Sequence, residues 1–286
     1  MNRSWTTLPL LALALISTLG FMGCGEDPGN GRVHLVLGDA PYPIKLIESA
    51  EVTVEAISVH ISGDGDGWEY LPFEPTTFDL LDLQNGVTAE LTEGEVPAGE
   101  LDEVRLVISS GKITLTDGRS MELKVPSGAS SGLKIKIRPS ITILADRTVD
   151  ILLDMDVGRS FLPIPASVQH ASEIERFHFR PVVRAANLNT TGSVSGWVRS
   201  DNGTPGDLTD DFNFWGASAL VHDGVDSAMA LTDNTGYFKV LGLEPGMWQV
   251  EVTASPYVPE IRNVQVYAGY DASLDTLVLV KITPRQ

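Results

Sequence analysis

Cys24 is the one cysteine of this 286-residue chain, and it closes the apolar run Phe21-Met22-Gly23-Cys24 just ahead of Gly25-Glu26-Asp27. A thiolate is the nucleophile of cysteine chemistry, and no second cysteine exists for a disulfide. The parts of an export signal precede it: a basic start at Met1-Asn2-Arg3, an apolar stretch over residues 8–19, and the small Gly23. The arrangement reads as a bacterial lipoprotein signal. Cleavage falls between Gly23 and Cys24, the sulfur accepts a diacylglycerol, and the freed amine accepts a further acyl chain. Two or more chains hold a protein stably to a bilayer. The competing readings are an ordinary cleaved signal peptide, an uncleaved transmembrane anchor and a core helix. A bilayer crossing takes about 20 apolar residues, more than residues 8–19 supply.

The remaining residues with chemical potential are scattered. Gly63-Asp64-Gly65-Asp66-Gly67 sets two carboxylates on a Gly-rich loop, and calcium draws its oxygens from carboxylates, carbonyls and water. Asp64 and Asp66 are therefore the candidate calcium ligands, with a plain hairpin tip as the competing reading. Asp207, Asp210 and Asp211 form a second acidic loop. Trp68, Phe214 and Trp215 border these loops, as do Tyr70 and Phe212, and aromatic rings on exposed loops can stack sugars. Core packing is the alternative. His170, Glu173, Glu175 and His178 are the nearest approach to a zinc or hydrolytic cluster, but strand alternation puts the two Glu on a different face from the His pair. The five histidines lack His-Glu-x-x-His spacing, and no Gly-x-Ser-x-Gly elbow, phosphate loop or dinucleotide turn is present. Asp154 and Asp156 share one strand face and read as solvated.

Strands must position all of these residues. Val33, Leu35 and Leu37 alternate with polar neighbours, as do Val104, Leu106 and Ile108, then Met121, Leu123 and Val125, then Leu133, Ile135 and Ile137. Period two marks a strand with one buried face. Asp117-Gly118 predicts a hairpin between residues 113–116 and 119–125. The apolar phase flips inside residues 51–61, which predicts a bulge near Ala56. Residues 76–85 and 166–175 are ambiguous short turns or helices. Asn187 to Gly192 interrupts the rows with loop-forming residues, and seven further short strands follow, over 194–198, 217–221, 228–231, 237–240, 248–253, 261–266 and 274–282. The expected fold is all-β, two antiparallel β-sandwich-like domains in tandem behind a signal peptide. The segments are a signal (1–23), a lipid-anchored tether (24–31), a first β domain (32–187) and a second (192–283).

Gly38-Asp39-Ala40-Pro41, Gly67-Trp68-Glu69, Asp79-Leu80-Leu81-Asp82-Leu83, Val96-Pro97-Ala98-Gly99 with Val104-Arg105-Leu106, and Val125-Pro126-Ser127-Gly128 with Gly132-Leu133-Lys134 follow one another in order. Leu153-Asp154-Met155-Asp156 and Phe179-Arg180-Pro181-Val182 complete the series. The series resembles the bacterial lipoprotein family called domain of unknown function 4382. The resemblance implies a β-rich domain behind a lipid anchor and no particular activity. Thr232-Asp233-Asn234-Thr235-Gly236-Tyr237-Phe238, Leu241-Gly242-Leu243-Glu244-Pro245-Gly246 and the strand from Trp248 look like a carboxypeptidase regulatory-like domain, a transthyretin-type sandwich. Such domains imply a noncatalytic spacer or assembly module. The strand at Gly216-Ala217-Ser218-Ala219 departs from that pattern, and residues 207–214 are inserted before it.

The formal net charge of −18 repels phosphate backbones, so nucleic acid is excluded as a partner. With no cysteine left to pair, stability rests on burial. Gly25 is not the aspartate of an inner-membrane retention signal, which in a Gram-negative host predicts the outer membrane. The expected function is a noncatalytic, lipid-anchored protein of the cell envelope that contacts the membrane through Cys24 and binds an envelope protein or polysaccharide, with no cofactor beyond the calcium candidate. A carbohydrate-binding accessory lipoprotein, with calcium assisting, ranks second. A hydrolase using His170, Glu175 or His178 ranks third.

Overall fold

The structure, a computed structural model, describes residues 29–40, 46–62, 67–125, 132–204, 207 and 209–282. The alternating rows form strands. The first half contains β1 (Asn30–Ala40), β2 (Ile47–Ser62), β3 (Gly67–Tyr70), β4 (Thr76–Asp79), β5 (Ala89–Pro97), β6 (Gly99–Leu115), β7 (Ser120–Leu123), β8 (Leu133–Ile143), β9 (Thr148–Asp156), β10 (Phe161–Ile164), β11 (Arg176–Phe179) and β12 (Val183–Asn187). One sheet runs β12-β9-β1-β5. A six-stranded sheet runs β3-β2-β6-β7, with β4 on β2 and β8 on β6. The long strands β2 and β6 form its spine, and their outer halves carry different partners: β3 and β8 at one end, β4 and β7 at the other. Val33, Leu35, Leu37, Val104, Leu106 and Ile108 all lie in one buried core between the sheets.

The second half contains β13 (Gly192–Ser200), β14 (Phe212–Asn213), β15 (Ser218–His222), β16 (Ser227–Leu231), β17 (Tyr237–Leu243), β18 (Gly246–Thr253), β19 (Glu260–Val266) and β20 (Asp271–Leu279). The sheet β14-β13-β17, with β20 on β13, and the sheet β16-β15-β18-β19 enclose a separate core built on Val194, Val198, Phe238, Trp248, Val250 and Leu277. Pairing is antiparallel except for β1 with β9 and β13 with β20, which are parallel.

Local features follow the residues that specify them. Gly118 takes a φ of +85° in the turn between β6 and β7, the conformation that a tight hairpin turn asks of glycine. The register of β2 against β6 shifts between Val54 and Ala56, so the bulge restores one buried face. Residues 76–85 divide into β4 and a 3-10 turn over Leu80–Leu83, where the Asp79 side chain accepts from the Leu81 N–H at 3.1 Å. Residues 166–175 keep only a 3-10 turn, Ala171–Glu173. Among the described residues, no helix is long and apolar enough to cross a membrane.

Candidate ligand-binding face

Two rows of side chains cross the outer surface of the six-stranded sheet. Strand register aligns Tyr70 of β3, Ser58 of β2, Arg105 of β6 and Lys134 of β8, and beside them Trp68, His60, Glu103 and Lys136. The intervening Val59, Val104 and Ile135 are buried in the core, so alternation turns these two rows outward. The Arg105 guanidinium lies 3.7 Å from the centre of the Trp68 ring, a cation–π contact. The His60 ring sits 5.2 Å from the same indole, and its Nδ1 is 2.7 Å from Asp102 Oδ1.

Beneath the cations lies Glu103, buried although it is on the outward side. Its Oε2 pairs with Lys136. Its Oε1 and the Arg105 Nε are buried without a hydrogen-bond partner among the described residues, and unpaired buried polar atoms are costly. Gly132 stands before β8 with φ +69°, and a Cβ there would fall 2.5 Å from Arg105 Cγ. Glycine is what lets the Arg105 stem lie flat. Arg105 and Lys134 face each other directly across the β6–β8 ladder, a like-charge pair that opposes folding. No ion pair joins Lys134 or Arg138 among the described residues.

From this face β8 runs toward the second half of the molecule. It leaves the β6 ladder between Lys136 and Ile141, and the bulge is pinned by Glu100, whose carboxylate accepts from Ser140 Oγ at 2.7 Å and Thr142 Oγ1 at 2.8 Å. Arg138 on this bulge overhangs a cleft of about 340 Å³ lined also by Lys136, Arg184, Glu244 and Trp248. Arg184 fastens the two halves together there. Its Nη2 donates to Asp154 Oδ2 at 2.8 Å and to the Leu241 carbonyl at 3.0 Å, and its Nη1 donates to the Gly242 carbonyl at 2.7 Å. Gly242 adopts φ +67°, and a Cβ there would be 2.7 Å from that of Ala186. Val36, Leu152 and Ala186 are buried beside Leu188 and Leu241 at the same junction.

Of the residues singled out in the sequence, Trp68 belongs to the outer face. Phe214 and Trp215 stand on the other half, around the other core. Phe214 packs edge-on against Tyr257 at 4.9 Å and against that core, with Phe212 stacked on it at 5.9 Å. Trp215 is exposed. Cys24, Asp64 and Asp66 lie outside the described residues. Asp210 accepts from Thr204 Oγ1 and Asn202 Nδ2, and Asp207 from Thr209, so these carboxylates tie down their own loop.

The His170 to His178 segment folds around the 3-10 turn Ala171–Glu173. Glu173 Oε2 accepts from the backbone N–H groups of Gln169 at 2.6 Å and His170 at 3.2 Å, and these bonds hold its carboxyl below the usual range. His178 sits on β11 opposite Leu162. Among the described residues, no three His, Cys, Asp or Glu side chains are placed to hold a metal. Asp154 and Asp156 are not the solvated pair their alternation suggests. Asp154 binds Arg184. Asp156 caps the helical turn Val157–Ser160 through the Arg159 N–H at 2.8 Å, and burial pushes its carboxyl up.

Sequence reasoning missed Arg105, Glu103, His60 and Asp102. Their signal was present as polar positions beside the apolar rows, Arg105 between Val104 and Leu106, Asp102 and Glu103 just ahead of Val104, and His60 between Val59 and Ile61, but which strands lie beside them is not written locally. The pair Trp197 and Tyr237, with ring centres 5.0 Å apart on β13 and β17, was missed for the same reason.

A family model described as a domain of unknown function (DUF4382) matches residues 30–173, from β1 through β10. β11 and β12, which complete the sheets of this half, lie past the matched residues. No curated protein matches the chain. Among solved structures, the Bacillus anthracis TIE protein is 12% identical with a TM-score of 0.28, over 88% of this chain and 41% of that one. This chain therefore spans well under half of that protein's length. GBS52, the minor pilin of Streptococcus agalactiae, is 11% identical with a TM-score of 0.27, over 88% of this chain and 98% of that one. The shaft pilin spaA from Lactobacillus rhamnosus GG is 9% identical with a TM-score of 0.27, over 90% of this chain and all of that one.

Proposed function

This chain belongs to the family described as a domain of unknown function (DUF4382), and from that premise we propose that it is a lipid-anchored, noncatalytic binding or structural module of the cell envelope. The observation that carries the reading is the outer face of β3, β2, β6 and β8. An indole, a guanidinium, an imidazole and two lysines are fixed there on paired strands, not on loops, and a rigid scaffold suits recognition. His60 is engaged with Asp102, and Glu103 with Lys136. These acid and base groups serve the fold in place, so the face presents cations and rings to a ligand.

The second half acts as a spacer of transthyretin type. Its two sheets around one core, and the Arg184 clamp to the first half, support a module that holds its parts in a set geometry. The anchor reading rests on the sequence. Cys24 precedes β1, which starts at Asn30, by a short tether, so fatty chains on it would hold the first half close to the bilayer surface.

The test is the mass of the N-terminal peptide of protein recovered from a bacterial host. An acylated Cys24 and a membrane-bound chain are expected, with release of the chain in Cys24→Ser. An unmodified Cys24 in a chain that stays in the soluble fraction removes the anchor. Turnover of any ester, peptide or glycoside substrate that His60→Ala abolishes removes the noncatalytic reading.

A further inference from the structure

We propose that the face formed by β3, β2, β6 and β8 binds an anionic polysaccharide, with Arg105, Lys134 and Arg138 holding its acid groups and Tyr70 supporting a sugar ring. The inference rests on the binding-module reading above and supplies its ligand class.

Charge is the first argument. The chain carries 38 acidic and 20 basic residues, so carboxylates are abundant, yet among the described residues none pairs with Lys134 or Arg138. Arg105 and Lys134 are instead set opposite each other, an arrangement that costs stability when nothing anionic lies between them. Glu103 is committed below to Lys136. A bound acid group would turn the repulsion between Arg105 and Lys134 into shared attraction. The planar guanidinium of Arg105 is held against Trp68, and such a fork suits a planar carboxylate in two-point contact.

Shape is the second argument. Tyr70 is 76% exposed in the same row as Arg105 and Lys134, an apolar ring with a polar tip that presents contact area at low entropic cost. The ring and the cations together match a polymer whose units have both an apolar ring face and an acid group. An acidic peptide lacks the repeated ring. Strand addition by a peptide would use the outer edges of β3 and β8, each laddered on one side only among the described residues, and not the face that carries Tyr70, Arg105 and Lys134. A nucleic-acid backbone presents a charge about every 1.7 Å and meets the −18 chain in full, whereas a polysaccharide with one acid per sugar is more sparsely charged.

The experiment is calorimetric titration of the full chain, purified in detergent, with polygalacturonate, with uncharged dextran and with poly-glutamate. Polygalacturonate is expected to bind and to weaken as salt rises, since exposed charges are screened. Dextran is expected not to bind. Lys134→Gln and Arg138→Gln, both at exposed positions, should each weaken polygalacturonate about three- to tenfold, and Tyr70→Ala should do the same while leaving poly-glutamate unaffected. Absence of polygalacturonate binding overturns the proposal, as do variants that bind like the parent chain. Poly-glutamate binding as tight as polygalacturonate, and indifferent to Tyr70, replaces it with an acidic-peptide site. The Cys24 measurement is independent. Acylated protein that ignores polygalacturonate defeats this inference and leaves the module reading standing, whereas unmodified Cys24 defeats the anchor and leaves the titration result intact.

Discussion

Trp68 and Trp197 stand on the outer faces of the two halves, and their neighbourhoods handle charge in opposite ways. Around Trp197, Lys239 Nζ is 3.5 Å from Asp271, and the two oxygens of Asp271 accept from Ser193 and Ser195 at 2.6 Å. Charge there is cancelled within the protein. Around Trp68, two cations oppose each other across a ladder, and the nearest buried carboxylate serves a third. Two faces with a similar content of rings and lysines thus differ in what they leave for a ligand. Composition does not reveal this difference; the pairing of carboxylates with cations does.

The largest break in the comparison is Glu103→Ala. It removes the buried counter-charge of the first face and leaves Lys136 without its partner. An unfolding stability lower by about 2–3 kcal/mol is expected, read from urea denaturation of the full chain.

The matching change in the second half, Asp271→Asn, is expected to cost about 1 kcal/mol, because its bonds are to neutral hydroxyls and one partly exposed lysine. It also changes the pH response. Burial alone would raise the Asp271 carboxyl, but bonds from Ser193, Ser195 and Lys239 outweigh it and hold the carboxyl below its ordinary value. The Asp150 carboxyl is likewise lowered, first by its bond with His34 at 2.8 Å. A depressed folded-state pKa gives stability that is present above the unfolded value, about 3.9, and is lost as the pH falls through the folded value. Thermal melts on acidification should therefore fall less steeply in Asp271→Asn than in the parent chain.

The smallest effect sharpens the contrast most. Lys134→Gln should raise stability by about 0.2–0.5 kcal/mol, since it relieves the like-charge pair with Arg105, while Lys239→Gln, which loses a neutralised partner, should lower it slightly. Opposite signs in matched denaturation curves support the comparison. Equal signs would mean that the two faces hold their cations alike.

Much of the fold was legible in local patterns. The rows at Val33, Leu35, Leu37 and at Val104, Leu106, Ile108 are core because a strand buries alternate residues. The turn at Gly118 and the bulge beside Ala56 follow from backbone requirements within a few residues. The candidate face was legible only through Trp68 and Tyr70. Arg105 and Lys134 meet because β6 pairs with β8, and Trp68 reaches them because β2 brings β3 alongside. Asp154 read as solvated because the sequence shows its alternation with Leu153 and Met155 but not Arg184 arriving on β12 from a distant segment.

The sequence by itself determined that this chain forms strands, that each strand has a core side and an outward side, and that the whole carries excess negative charge. Those are properties of residue type and period two, contained within one stretch of chain. Tertiary structure alone decided which outward residues become neighbours: that Glu103 is sealed under a lysine, that Arg105 lies on an indole, and that Arg184 joins the two halves. Register between strands far apart in sequence is set by how both sheets close over a shared core, and a shift of one residue would turn every one of these side chains to the other face.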